Sequence, residues 1–162
     1  MMVADAFAGI GPPTANEDWA DWLAEMAGRL RLTLLAHRDG ARVVASADLT
    51  GSALLGIQEM ALSVLTTAGF DLRTALVSVV AIFDYTLGAA FEEQDEPDHT
   101  TLSHSHVFGT RRLSLDPARL PLLAAALDEI TNMATDSPNV GFKGGIHLLL
   151  AGMVATKKAT DT

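Results

Sequence analysis

The sequence predicts an all-α domain. Three observations carry that reading. Apolar residues recur at helical spacing along most of the chain, acidic caps and glycine or proline stops divide the segments, and strand and hairpin punctuation is nearly missing.

Taken in order, residues 1–10 read as the end of a helix, stopped by Gly9, Gly11, Pro12 and Pro13. The next helix starts with Asn16 as N-cap and with Glu17 and Asp18 in the first turn, where the helix dipole favours anions. Trp19, Trp22, Leu23, Met26, Leu30 and Leu34 keep its spacing. It ends at His37, Arg38, Asp39 and Gly40, the glycine being free to take positive φ. Residues 41–45 make a short extra turn. Another helix covers 53–68 and stops at Gly69, after which Asp71 caps a long helix reaching Glu93. A charged break follows at Glu92, Glu93, Asp95, Glu96 and Asp98, then a polar stretch to Ser114. Asp116 and Pro117 mark a helix start, because proline loses no hydrogen bond at the first helical position; Pro121 is the alternative first turn. Asp136, Ser137 and Pro138 repeat the signal before a last helix to Lys157.

Two helices carry the architecture. In 72–91, Leu72, Leu76, Val79, Val80, Phe83, Leu87 and Phe91 form one stripe, and Val77, Ala81, Tyr85, Gly88 and Ala89 fill the other side. The segment 140–154 is similar, with Phe142, Ile146, Leu148, Leu149, Leu150 and Met153 among several glycines. Helices that are apolar all round must be covered all round. In a chain of 162 residues the economical cover is a second copy, four helices sharing one bundle. A central core helix in a monomer is the alternative.

Composition narrows the functional classes. Hydrophobic residues are 49% and charged residues 19% of the chain, which is incompatible with a disordered tail. A formal net charge of −9 argues against a nucleic-acid binder. Cysteine is absent, so disulfides, thiolate metal sites and cysteine nucleophiles are excluded together. No charged n-region precedes Arg29, and the uncharged apolar runs fall short of the roughly 20 residues of a membrane span. The expectation is a soluble cytoplasmic domain with no membrane partner.

The order of the segments resembles the C-terminal ligand-binding and dimerisation domain of the TetR family of transcriptional regulators. The resemblance rests on residues 34–43 with His37, Arg38, Asp39 and Gly40, on Ala68, Gly69 and Phe70, and on Tyr85, Thr86, Leu87 and Gly88 with Glu92, Glu93 and Gln94. Phe142, Gly145, Ile146, Leu149, Leu150, Gly152 and Met153 extend it towards the C-terminus. It implies that the helices near 71–93 and 138–157 form a homodimer bundle, with Leu76, Val80, Gly88, Phe142, Gly145, Leu149 and Gly152 at the interface. It also divides the chain into 1–15, matching the tail of a connecting helix and a loop, a domain over 16–157 and a tail at 158–162. The family's helix-turn-helix head has no counterpart, so the expectation is no DNA binding by this chain alone.

In tetracycline-binding members of that family the drug enters as a magnesium chelate. The position of the metal-binding histidine is Val44 here, which cannot ligate a metal. The resemblance places Met26 and Ala61 where an asparagine and a glutamine grip the drug, Leu30 at an aromatic position, and Asp84 at a histidine; the acid at Glu92 is retained. A pocket of Met26, Leu30, Val44, Ala61, Leu65, Phe83 and Leu87, with Asp84 and Glu92 nearby, suits a mainly apolar effector, with no cofactor and no metal.

The remaining chemistry is sparse. His99, His104 and His106 beside the acidic break are the one metal-like cluster; the readings are a solvated loop, a metal site or, for His104 and His106, ligand-gate contacts, and the solvated loop is the ordinary one. A carboxylate at Asp84 on an apolar helix needs a partner, such as Arg73, His147 or a ligand hydroxyl. Arg111 and Arg112 are a pair, not a basic patch. No nucleophile triad, phosphate-cradling loop or paired catalytic carboxylate is present, so the expected role is not enzymatic. The expected function is effector binding and dimerisation within a transcriptional repressor. The alternative is a stand-alone module that sequesters a ligand or poisons the dimer of an intact repressor.

Overall fold

The computed structural model describes residues 11–14, 17–46, 52–94, 116–136 and 140–160. Among them are six helices and no strand: α1 Trp19–Ala36, α2 Gly40–Ser46, α3 Ser52–Thr67, α4 Leu72–Gln94, α5 Pro121–Asp136 and α6 Val140–Thr160. The expected helix over 1–10, the cap at Asn16, the histidines at 99, 104 and 106, the arginines at 111 and 112, and Ser137 with Pro138 lie outside the described residues.

α1 begins later than its acidic run implied. Asp18 is the N-cap, its carboxylate accepting from the Ala20 N–H at 2.7 Å. The buried face of α1 is Trp22, Leu23, Met26, Ala27, Leu30, Arg31 and Leu34. Trp22 donates its indole N–H to the Gly11 carbonyl at 2.9 Å, fastening the incoming chain to this helix. At the other end the left-handed residue is Asp39, with φ 56°, and not Gly40. Gly40 is required for space instead: a Cβ there would collide with the Leu34 carbonyl. The short turn expected at 41–45 is a helix that starts at Gly40 itself.

α3 ends at Gly69, whose φ of 90° suits a residue without Cβ. Asp71 then caps α4 through the Thr74 N–H at 3.0 Å, and hydrogen bonds from the Thr74 side chain and backbone hold its carboxyl below the usual value. Of the two starts foreseen for α5, Pro121 is the first helical residue; Asp116 closes a separate turn by accepting from Arg119 and Leu120. α6 runs on to Thr160, past the expected stop.

α4 is the hub, touching α1, α2, α3 and α6. It is long and apolar enough to cross a membrane, but that composition serves the core here: Ala75, Ser78, Val79, Ile82, Thr86, Ala89 and Ala90 are buried within the chain. α4 and α6 run antiparallel. Tyr85 on α4 meets the N-terminal turn of α6 through the Gly141 carbonyl, whereas Lys157 near its other end donates to the Ala68 carbonyl and lies over Phe70.

The other side of α4 is not covered by the described residues. Leu76, Val77 and Val80 are 50%, 64% and 42% exposed, and Leu148 on the adjoining face of α6 is 73% exposed. The apolar stripe expected on 72–91 is therefore split, Val79 pointing into the core and Leu72, Leu76 and Val80 out of it.

Candidate functional site

Three helices meet around a small apolar cavity of about 20 Å³. α1 supplies Met26, Ala27 and Leu30, α3 supplies Ile57, Gln58 and Ala61, and α4 supplies Val79, Ile82, Phe83 and Thr86. The spacing explains the convergence, since each set falls at i, i+3 or i+4 and so on one helical face. Nearly all of the lining is hydrocarbon. Two of the lining residues are polar: half-buried Gln58, and Thr86, whose hydroxyl donates to the Ile82 carbonyl at 2.7 Å. A space of this size holds about one water, against the ~300 Å³ or more of an ordinary ligand pocket. Admission of an effector there requires the helices to part.

Four residues named from the sequence, Met26, Leu30, Ala61 and Phe83, line this cavity. Val44 and Leu65 are buried in the same core without lining it, and Leu87 is half-buried. Asp84 is elsewhere: it is exposed on the outer side of α4, one residue and about 100° round the helix from Phe83. It is thus no buried acid within the chain, and among the described residues it makes no ion pair or hydrogen bond. Glu92 is exposed near the end of α4.

The residues expected at the dimer face also divide. Leu76, Val80, Gly88 and Gly152 are exposed. Phe142 is buried, Leu149 packs against the core, and Gly145 faces inward, where a Cβ would run into the Tyr85 hydroxyl. The glycine at 145 is thus explained by close helix packing inside one chain.

Sequence reasoning missed the polar lock at the far end of α4. Arg31 and Glu93 form a two-pronged ion pair, both contacts 2.7 Å, with side chains only 5% and 8% exposed. The Arg31 guanidinium also lies 5.1 Å from the centre of the Phe142 ring, itself stacked with Tyr85 at 5.7 Å. The neighbouring Gln94 accepts from the Ala41 N–H at 2.9 Å and donates to the Leu34 and His37 carbonyls at 2.6 and 2.8 Å. One amide therefore closes the α1 C-terminus and the α2 N-terminus together. Tyr85 stands beside this lock, and desolvation raises its pKa above the ordinary value.

A second, open groove of about 660 Å³ runs between α1 and α6. Its floor includes Phe142, Ile146 and Leu150, and its rim carries Asp21, Lys143 and His147. His147 is thus an exposed rim residue.

The family described as "Tetracyclin repressor-like, C-terminal domain" matches residues 12–157. The class A tetracycline repressor protein of transposon 1721 from Escherichia coli is 31% identical over 142 residues, covering 87% of this chain and 60% of that protein. The chain thus spans about three-fifths of the length of such curated relatives. Among solved structures, a possible TetR family transcriptional regulator from Streptomyces coelicolor A3(2) superposes with a TM-score of 0.79 at 32% identity, covering 95% of this chain and 73% of that one. The Streptomyces coelicolor TetR family protein ActR, solved with (S)-DNPA, shares the fold with a TM-score of 0.72 at 21% identity, covering 95% and 72%. This chain belongs to the TetR family of transcriptional regulators, through its tetracycline repressor-like C-terminal domain.

Proposed function

We propose that the chain is the effector-sensing, homodimerising part of a cytoplasmic TetR-type repressor, regulatory and not catalytic. The observation that carries this reading is the apolar cavity walled by α1, α3 and α4, with Gln58 and Thr86 among its lining residues. A small, mainly apolar effector with one or two polar groups fits that chemistry. Parting of the three helices on binding would then move α4, whose outer face is the proposed dimer surface with α6. A coupling of about 1–3 kcal/mol, as in other allosteric pairs, suffices to alter the dimer shape.

Magnesium–tetracycline suits the site poorly. Val44 offers no metal bond, and Met26 and Ala61 offer no side-chain hydrogen bonds. Each unpaired polar contact costs about 1–3 kcal/mol, so three remove several powers of ten in affinity. The test is calorimetric titration with magnesium–tetracycline beside a panel of planar apolar compounds. Apolar compounds are expected to bind and to lose affinity in Ala61→Met, which fills the cavity. Submicromolar, magnesium-dependent tetracycline binding would overturn the reading.

The groove between α1 and α6 supports a second location, because its volume already matches a ligand pocket. Gly28 lines it with open space where a Cβ would go, so Gly28→Phe blocks the groove without strain and separates the two sites. A stand-alone sequestering or dimer-poisoning module would use the same two surfaces; the reading frame upstream of Met1 distinguishes it from a repressor.

A further inference from the structure

The groove between α1 and α6 has two unlike ends. Arg31 of α1 lies over the Phe142 ring at the start of α6, whereas Trp19 at the start of α1 and Lys157 near the end of α6 both meet Phe70. The two helices therefore run antiparallel. Lys143 shares one end of the groove with Arg31 and Leu32, and Asp21, in the first turn of α1, stands at the other. Between them the surface is aliphatic: Ile146 and Leu150 form the floor, and Leu32 on the lip is 62% exposed. Arg31 is committed to Glu93, and the Phe142 ring to Arg31 and Tyr85. Lys143 is committed to nothing. Among the described residues its side chain has no ion-pair or hydrogen-bond partner, and it stands in the first turn of α6, where the helix dipole disfavours a cation. His147 follows by four residues, so the two side chains are neighbours on the rim, and it has no such partner either. Helix stability does not account for an ammonium in that place. An anion supplied by a ligand does, because the dipole and the ammonium then attract the same charge.

We infer that this groove binds an amphiphilic monocarboxylate with an aliphatic body, its carboxylate on Lys143 and His147 and its chain along Leu32, Ile146 and Leu150. This rests on the reading of the groove as a ligand site and gives that ligand its chemistry. From Phe142 to Leu150 the floor covers about 12 Å of helix, which an extended chain of about eight to ten carbons spans. The volume of about 660 Å³ accommodates such a molecule. Asp21 decides what the far end of the ligand carries. A dicarboxylate of the same length brings its second charge against that acid, whereas a methyl end does not. The proposed dimer face leaves the groove open. On α6, Lys143, Ile146, His147 and Leu150 lie about 100–160° round the helix from Leu148.

Sodium decanoate is the probe, titrated calorimetrically into the whole chain beside decanol and decanedioate, the uncharged and doubly charged compounds of the same length. Decanoate is expected to bind, and octanoate to bind about 4- to 15-fold more weakly for its two missing methylenes. Decanol and decanedioate are each expected to bind about tenfold more weakly than decanoate. Lys143→Glu places an acid where the α6 dipole favours one, so the fold is kept, and it is expected to weaken decanoate about tenfold while leaving decanol unchanged. Gly28→Phe, which fills the groove, is expected to abolish decanoate binding, and Ala61→Met, which fills the core cavity, to leave it unchanged. Decanoate binding that survives Gly28→Phe and disappears in Ala61→Met overturns the groove site and leaves the effector-sensing reading standing. Equal affinity for decanol and decanoate, or indifference to Lys143→Glu, overturns the carboxylate class. A folded chain that binds no decanoate overturns the proposal, whereas the panel of planar apolar compounds still tests the core cavity by itself.

Discussion

Glu93→Gln is expected to destabilise the chain by about 3 kcal/mol. Glu93 and Arg31 are joined by two 2.7 Å contacts with almost no exposure to water, and they tie the middle of α1 to the last turn of α4. Removing one charge of a buried pair typically costs 3–5 kcal/mol, because the other stays behind uncompensated. Two features move this case to the lower end. Glutamine keeps one acceptor for the guanidinium, and the Phe142 ring still faces the cation at 5.1 Å. For a chain of this size the loss corresponds to a fall in Tm of about 6–12 °C. Urea unfolding followed by circular dichroism measures it, at one fixed protomer concentration because dimerisation adds to apparent stability. Arg31→Met/Glu93→Leu should lose less than the sum of its single variants, since it leaves no orphaned charge. The internal control is the Arg29–Glu25 pair, whose side chains are 47% and 53% exposed. Glu25→Gln should cost no more than about 0.5 kcal/mol. A Glu93→Gln loss as small as that of Glu25→Gln would show that the buried lock contributes nothing special.

Two further outcomes follow from the packing of Tyr85. Gly145→Ala forces the new Cβ into the Tyr85 ring, with its Cε2 at 2.9 Å, and should fall about 1–3 kcal/mol below Gly144→Ala, whose Cβ meets nothing; thermal unfolding of the pair measures the gap. Tyr85 is the single tyrosine of the chain, so tyrosinate absorbance reports it alone. Burial favours the neutral phenol and raises its folded pKa above 10.0. Its contribution to stability is complete below the unfolded pKa and is lost as pH rises through the folded one. A titration midpoint at or below that of the urea-unfolded chain would contradict the buried placement.

Helix boundaries were legible where the chain uses one residue for one purpose. Gly69 stops α3 and Asp71 caps α4 for local reasons that need no tertiary partner. Gly40 was foreseen as an end signal for the wrong reason, because the crowding carbonyl of Leu34 is set by how the turn folds back. Which side of α4 faces its own core was not legible. Val79 and Val80 are chemically equal, and a helix apolar all round has no period to read. Gln58 and Thr86 escaped notice because a polar residue on a helix ordinarily reads as surface. Arg31 left a usable signal: it follows Ala27 by one turn on the buried face of α1. A cation at core spacing implies a buried anion, but its partner Glu93 could be identified only from the fold.

The Gln94 side chain makes the protection of one backbone group depend on a distant helix. The Ala41 N–H lies in the first turn of α2, where no carbonyl of its own helix can reach it, and its acceptor is the last residue of α4. Fraying of that last turn frees the amide at once, while the carbonyls of Leu34 and His37 keep their backbone donors, the N–H groups of His37 and Gly40. Solvent deuterium should therefore enter Ala41 at the opening rate of the α4 terminus, with no need for α2 to unwind. A single resonance in one helix becomes a clock for the end of another.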